Sequence, residues 1–125
     1  MKTRFIRPDS PLLDTTVVVI RGGQLDPDVI RDDAVRTHRI YGDYAISVFA
    51  ADGKSVDELA QESPLVRFEL LTLMTVGDLR TAGFELKPTG RHPLHYSIDF
   101  DNIETGIVRL LGCAHRTIPN PYHGI

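Results

Sequence analysis

The stretch TTVVVIRGG at residues 15–23 indicates how the first part of the chain folds. Its run of β-branched side chains predicts a buried strand, and the two glycines that follow predict a tight turn. The stretch YAISVFA at residues 44–50 is similarly apolar and ends at the turn ADGK, which predicts a second strand. Between them, Asp26 is a favourable N-cap with Pro27 at the first helical position, and the apolar spacing predicts a helix ending at Gly42. The order strand, helix, strand allows a crossover unit.

Short elements continue after the second strand. Ser55 and Glu58 have the spacing of a capping box, which predicts a short helix. The run FELLTLM at residues 68–74 is interpreted as a strand, although a short apolar run also fits a helix. Thr75 is expected to cap a helix over residues 76–82.

The last third of the chain contains an expected hairpin and a final helix. Residues 84–87 and 95–100 alternate between apolar and polar side chains, and a loop rich in turn residues separates them. We expect the two segments to pair antiparallel. Asp101 or Asn102 is then expected to cap a helix over residues 103–114.

Length and composition favour one globular domain. The chain has 125 residues, 42% hydrophobic and 25% charged, which excludes a mostly disordered, fibrous or membrane-spanning protein. We predict a single compact α+β domain over residues 1–125, with a mixed, largely antiparallel four- to five-stranded sheet and three to four short helices. An N-terminal arm (residues 1–13) and an extended C-terminal tail (residues 115–125) are expected to flank it.

Charge and cysteine content restrict the class of protein further. The single cysteine, Cys113, cannot form an internal disulfide, and the N-terminus has no apolar stretch typical of an export signal, so we expect a cytoplasmic protein. Cys113 is interpreted as a buried structural thiol. The net charge of −3 excludes a strongly basic nucleic-acid binder, although cations concentrate in residues 91–123.

The first candidate site is RHPLHY at residues 91–96. Its two imidazoles, guanidinium and phenol suit phosphate binding and proton transfer near pH 7, as a metal-independent ribonuclease requires. The catalytic candidates are therefore Arg91, His92, His95 and Tyr96. Because neighbouring residues of a strand face opposite ways, one of His95 and Tyr96 is expected in the core. The alternative is a solvated hairpin loop.

The second candidate site is the tail. His115, Arg116 and His123 are substrate-binding candidates, because the prolines between them keep the segment extended and allow it to fold back beside residues 91–96. The alternative is an ordered arm or a partner-binding segment. The histidine spacings fit no familiar zinc pattern, so no metal site and no cofactor are predicted.

The third candidate site joins the first two strands. Arg21, followed by two glycines, ends the first strand, and Ser47 lies in the middle of the second. This layout resembles the nicotinamide pocket of ADP-ribosyltransferase-like toxins. The resemblance implies NAD as a substrate, with Arg21 and Ser47 as binding residues. It also implies a catalytic glutamate later in the chain, for which Glu69 and Glu85 are the candidates.

Several strong catalytic motifs are absent from the sequence, including the Walker phosphate loop, the Gly-x-Ser-x-Gly elbow and His-Glu-x-x-His.

The leading hypothesis is a small bacterial toxin-type enzyme of the toxin–antitoxin class, acting on RNA or on a nucleotide cofactor such as NAD, with a cognate antitoxin as partner. The alternative is a non-catalytic protein–protein interaction module that uses a sheet edge or the tail. A third hypothesis is a sensor that binds a small ligand or a metal ion through the histidines. A concave pocket with convergent histidine and arginine favours the enzyme, and a flat apolar patch the module.

Overall fold

The computed structural model describes residues 1–9 and 11–124, so Ser10 of the expected arm and Ile125 of the expected tail lie outside the described residues. Strands and helices follow one another in this order: β1 (Val17–Gly22), α1 (Pro27–Tyr41), β2 (Ala45–Ala50), α2 (Val56–Ala60), β3 (Leu70–Thr75), α3 (Val76–Thr81), β4 (Leu86–Pro88), β5 (His95–Asp99), α4 (Ile103–Leu111) and β6 (Arg116–Pro119). In the described ranges, no helix has the length and apolar character needed to cross a bilayer.

Local capping sets the helix ends. The Asp26 carboxylate accepts a hydrogen bond from the N–H of Asp28, and Gly42, with φ of 90°, ends α1 in the left-handed conformation. Ser55 and Glu58 form the reciprocal bonds of a capping box at the start of α2. The expected starts of α1 and α2 and the expected end of α1 are therefore confirmed.

The sheet differs from the expectation in two ways. Within residues 1–9 and 11–124, six strands form one sheet in the order β4-β5-β2-β1-β3-β6, and every neighbouring pair is antiparallel. The expectation of four or five strands was too low, because residues 116–119 of the tail pair with β3 as an additional strand. The expected mixture of directions was also wrong. Since β2 starts at the end of the sheet where β1 stops, α1 makes no return crossover.

Two apolar cores sandwich this sheet. One face packs against α1, α3 and α4, and the other packs against α2, the segment that leads into β3, and the tail. The buried Asn120 fastens the tail to the second core, because its Nδ2 donates to the carbonyl oxygen of Leu65 at 3.0 Å. Cys113 follows the end of α4 and is buried, which confirms the interpretation of a buried thiol.

The two central strands diverge after a short contact. β1 and β2 are in register only at Val18↔Ala50 and Val19↔Phe49. A β-bulge between Val19 and Arg21 then bends β1, which continues along β3, while the first half of β2 continues along β5. The sheet therefore opens between β1 and β2, and the backbone edges of these strands separate there.

Candidate functional site

A cleft of about 450 Å³ lies where β1 and β2 diverge. Residues from both strands line it, together with one side of α1 and the segment before β3. The polar lining side chains are those of Arg21, Asp33, Arg36, Ser47, Arg67 and His95, and the phenylalanine rings are those of Phe49 and Phe68. Arg21, Ser47 and His95 thus line one cleft, although His95 belonged to a different candidate site in the sequence.

Arg21 follows the bulge in β1 and lines the cleft. Its Nη1 lies 3.6 Å from Oδ2 of Asp33 on α1, and its side chain is only 22% exposed. Its Nε is buried and makes no hydrogen bond to any atom of the described residues. A buried N–H of a charged group is costly to leave without an acceptor.

The charge of the cleft opposes that of the whole chain. Three guanidinium groups, of Arg21, Arg36 and Arg67, and one carboxylate, of Asp33, line it among the described residues. Asp33 is already engaged, since its Oδ1 accepts a hydrogen bond from Arg36 at 3.0 Å. The chain has a net charge of −3, so this excess of positive charge is local. A concave, positively charged surface attracts anions, and guanidinium groups match phosphate and carboxylate oxygens.

Aromatic rings lie beside the arginines. The Phe68 ring packs directly on Gly22, and the Arg67 guanidinium carbon lies 4.7 Å from the centre of that ring. Phe49 lines the cleft from β2 and meets the His95 ring edge-on, with 5.5 Å between the ring centres. Flat rings next to cations are the surfaces on which nucleobases and similar heterocycles stack. The lining is therefore suited to a ligand with both an anionic and an aromatic part.

His95 has a defined hydrogen-bond arrangement. It lies at the start of β5 opposite Phe49, and its Nδ1 is 2.8 Å from the carbonyl oxygen of Thr89. A carbonyl only accepts, so Nδ1 carries the proton and Nε2 is the unprotonated nitrogen. Burial lowers the pKa of His95, and the positive charges of Arg7 and Arg4 lower it further. A neutral imidazole of fixed tautomer beside a cleft is equipped to act as a general base.

Ser47 shares a face of the sheet with His95. The register pairs Ser47 with Ser97 and Phe49 with His95, and alternate residues of a strand point the same way. Ser47 is exposed, and its hydroxyl has no hydrogen-bond partner in the described part of the chain. It is free to donate to, or accept from, a ligand in the cleft.

The neighbours of His95 in the loop have structural contacts elsewhere. His92 Nδ1 accepts a hydrogen bond from the N–H of Leu94 at 3.1 Å, which closes the turn before β5. The guanidinium carbon of Arg91 lies 4.5 Å from the centre of the Phe5 ring on the N-terminal arm. Neither His92 nor Arg91 lines the cleft.

The remaining sequence candidates also lie outside the cleft. Tyr96 is buried in the core on the opposite face of the sheet from His95, as strand alternation requires. Nδ1 of His115 lies 2.7 Å from the carbonyl oxygen of Cys113. Arg116 is the first residue of β6. His123 is exposed in the turn after β6. None of His115, Arg116 and His123 lines the cleft.

The glutamates implied by the resemblance do not enter the cleft. Glu85 lies 3.5 Å from Nε of Arg80 on the far side of the hairpin, and Glu69 is exposed just before β3. Among the described lining residues, the carboxylate is that of Asp33. The position on β5 that faces the cleft holds His95, so the group available for proton transfer is an imidazole.

Five polar or aromatic lining residues were not predicted from the sequence: Asp33, Arg36, Phe49, Arg67 and Phe68. Two of these carried a signal, because Asp33 and Arg36 are three residues apart on α1 and share a face with Val29. The segment with Arg67 and Phe68 carried none, since only packing on Gly22 brings it to β1.

No family model, curated protein or solved structure matches the chain. Within residues 1–9 and 11–124, no group of three or more His, Cys, Asp or Glu side chains is arranged to hold a metal ion.

Proposed function

We propose that the chain is a small bacterial toxin-type enzyme that binds NAD in the cleft and cleaves the bond between nicotinamide and ribose. One observation carries the proposal. Arg21 and Ser47, the two residues that resemble a nicotinamide pocket, line the same cleft as a third candidate, His95. The proposal includes action in the cytoplasm, where NAD is available as a substrate.

The two parts of NAD correspond to the two parts of the lining. Its pyrophosphate is a polyanion that suits Arg21, Arg36 and Arg67, and bidentate bonds from guanidinium groups are strong and directional. Its cationic nicotinamide ring is flat and suits the faces of Phe49 and Phe68. The cleft volume of about 450 Å³ also falls in the usual range of ligand pockets, roughly 300–1,000 Å³.

The proposed reaction needs no further cofactor. The bond between ribose C1′ and the ring nitrogen breaks, and its electron pair passes to the ring, which leaves as neutral nicotinamide. The oxygen of water, or of an acceptor group, forms a new bond to C1′. His95 Nε2 takes the proton of that oxygen, as a neutral imidazole is able to do near pH 7. The products with water are nicotinamide, ADP-ribose and a proton.

Arg21 and Ser47 have complementary roles in this scheme. Arg21 holds the phosphate next to the reacting ribose through the exposed part of its side chain. The Ser47 hydroxyl bonds to the ribose and fixes C1′ near His95, and such positioning is a large part of catalysis.

The ribonuclease form of the hypothesis has less support. It required Arg91, His92, His95 and Tyr96 at one site, and of these only His95 lines the cleft. A metal-independent ribonuclease needs a general acid as well as a general base, and His92 is engaged by the N–H of Leu94.

The test is binding and turnover by the purified chain. We expect calorimetric binding of NAD and, by chromatography, release of nicotinamide. Arg21→Gln should weaken NAD binding by about tenfold or more, because a charge-assisted contact to phosphate is lost. Arg91→Gln is the matched control, since it removes an exposed cation outside the cleft. Binding of short RNA without any binding or cleavage of NAD would overturn the proposal.

A second candidate function rests on the free edge of the sheet. The β4 edge is covered by the N-terminal arm through a bridge between Ile6 and Thr89, whereas the outer edge of β6 has no backbone partner in the described residues. An open edge accepts an added strand, and Arg116 supplies positive charge there. This edge suits an extended acidic segment of a cognate antitoxin.

The edge is tested separately from the cleft. We expect the product of a neighbouring small gene to bind the wild type and to bind Arg116→Glu at least about tenfold more weakly, through charge repulsion. Arg36→Glu, on α1, is the control and should bind that product normally. Equal affinity of all three proteins would exclude β6 as the binding edge.

A further inference from the structure

The N-terminal arm is tied to the loop between β4 and β5. The N–H of Arg7 donates to the carbonyl oxygen of Pro88, and the N–H of Gly90 donates to that of Phe5, both at 2.8 Å. Ile6 and Thr89 complete an antiparallel bridge. The arm therefore extends the sheet beside the loop that leads to His95.

The Arg7 side chain encloses this loop. Its Nη1 donates to the carbonyl oxygens of Thr89 at 2.6 Å and Gly90 at 3.0 Å. Its Nη2 donates to those of His95 at 2.7 Å and Pro93 at 3.3 Å. A guanidinium group has its donors in a rigid plane, so four bonds to one loop fix the path of that loop.

One of these acceptors also holds the His95 ring. The carbonyl oxygen of Thr89 accepts from both Arg7 Nη1 and His95 Nδ1. Gly90 allows the close approach, because its φ is 73° and a Cβ there would lie 3.3 Å from His95 Nδ1. Arg7 itself does not line the cleft.

We propose that Arg7 is the positioning residue of this site: by fixing the Thr89 carbonyl, it holds His95 with Nδ1 protonated and Nε2 free toward the cleft. We call the contacts of Arg7 with residues 88–95 the Arg7 clamp. The clamp itself is seen in these contacts, whereas its effect on turnover rests on the proposed function.

The surroundings of His95 give a second readout. The charged or titratable groups that act on it are Arg7 and Arg4 from the arm and His92 from the loop, and each lowers the pKa of His95. The hydrogen bond to Thr89 raises this pKa, so weakening that bond lowers the pKa, while removing the Arg7 charge raises it. Arg7→Gln and Arg7→Lys both weaken the bond, but only Arg7→Lys keeps the charge, so the titration midpoint of Arg7→Gln should lie above that of Arg7→Lys.

The experiment observes the imidazole nitrogens of His95 by nuclear magnetic resonance. We expect the Nδ1–H tautomer in the wild type and a mixture with the Nε2–H tautomer in Arg7→Gln, with a titration midpoint above that of Arg7→Lys. Arg4→Gln is the control on the same arm, because Arg4 pairs with Asp43 and does not bond to the loop. It should keep the Nδ1–H tautomer. If Arg7→Gln fails to fold, Arg7→Lys should still show the mixed tautomers, since an ammonium group cannot bridge four carbonyls.

Two outcomes overturn the clamp. One is an Arg7 variant that keeps the wild-type tautomer, and the other is loss of that tautomer to the same extent in Arg4→Gln.

Kinetics separate the clamp from the proposed function. Arg7→Gln should lower kcat for nicotinamide release by about tenfold or more with KM unchanged, because misplacement of a base affects the chemical step and leaves binding intact. If the wild type releases no nicotinamide, the proposed function fails, and the tautomer still decides the role of Arg7.

Discussion

The ring of Phe68 lies against the backbone of Gly22 where β1 leaves β2. A Cβ atom at position 22 would come within 2.1 Å of the ring carbons. The ring is also one wall of the cleft. Gly22 and Phe68 therefore set the width of the cleft together, and the absence of a side chain at position 22 lets the segment before β3 approach β1.

Gly22→Ala should displace Phe68. Overpacking of this kind costs about 1–3 kcal/mol of unfolding free energy, and the shifted ring should also weaken nucleotide binding. Denaturant unfolding and calorimetry measure the two effects. In a Phe68→Ala background the added methyl group has room, so Gly22→Ala should cost much less there. Equal costs in both backgrounds would contradict the contact.

Arg21 should matter for binding and little for stability. Arg21→Met removes a phosphate ligand and should weaken NAD binding by about tenfold or more. Because the buried Nε has no acceptor among the described residues, the unfolding free energy should change by less than about 1 kcal/mol, or rise. Arg80→Met is the control: Arg80 donates to the carbonyl oxygen of Leu12 and to Asp14, so its loss should destabilise the fold and leave NAD binding intact. A large loss of stability in Arg21→Met would be inconsistent with an unsatisfied Nε.

The pH dependence of turnover should report His95. Burial lowers the pKa of His95 below the ordinary 6.5, so the neutral base is present throughout the neutral range. Nicotinamide release should rise through a midpoint below pH 6.5 and then level off. His95→Gln should abolish this rise together with most of the activity. A midpoint at or above pH 6.5 would argue against a desolvated His95 as the base.

The pH dependence of the unfolding free energy should also reflect His95. A group whose pKa is lower in the folded state contributes stability that is complete above its unfolded pKa and is lost as pH falls through the folded pKa. The unfolding free energy should therefore fall below about pH 6.5, the ordinary pKa of histidine. His95→Gln should reduce this slope, and urea unfolding between pH 5 and 8 compares the two proteins. If the slope of unfolding free energy against pH is unchanged in His95→Gln, other titratable groups determine this pH dependence.

Two glycines at α4 should respond in opposite ways to alanine. At Gly106 a Cβ would lie 2.6 Å from the Phe100 ring, so Gly106→Ala should cost about 1–3 kcal/mol despite the better helix propensity of alanine. At Gly112, which has φ of −76°, the nearest atom would be 3.5 Å away, an ordinary contact. Gly112→Ala should therefore stabilise by about 0.4–1 kcal/mol. Thermal unfolding of both variants tests the pair, and similar shifts would contradict the packing at Phe100.

The parts of the fold that the sequence predicted well depend on neighbours along the chain. Asp26 and Gly42 bracket α1 because a cap bonds to backbone groups within a few residues. The β4–β5 hairpin was likewise predicted, since its strands are joined by one short loop. The expectation that His95 or Tyr96 is buried followed from strand alternation, and the structure buries Tyr96.

The candidate site was predicted in separate pieces. Arg21, Ser47 and His95 were each singled out, but from two unrelated patterns, and His92, Arg91 and Tyr96 were grouped with His95 only because they adjoin it in the sequence. Adjacent residues of a loop and strand point in different directions, so closeness in sequence did not become closeness in the cleft. Phe68 could not be found at all, because its role depends on contact with Gly22, which is distant in the sequence.

By itself, the amino-acid sequence determined the helix starts, five of the six strand segments and the α+β class, because caps, turns and side-chain alternation act over a few residues. The end of α4 was predicted too late, at residue 114 and not at Leu111. Only the tertiary structure decided that β6 joins the sheet, that β1 and β2 run antiparallel and then separate, and that Arg7 holds the loop at His95. These features arise from contacts between distant segments, such as Arg7 with Thr89, which lie 82 residues apart. Their formation depends on burying both faces of the whole sheet together, and no local pattern encodes that.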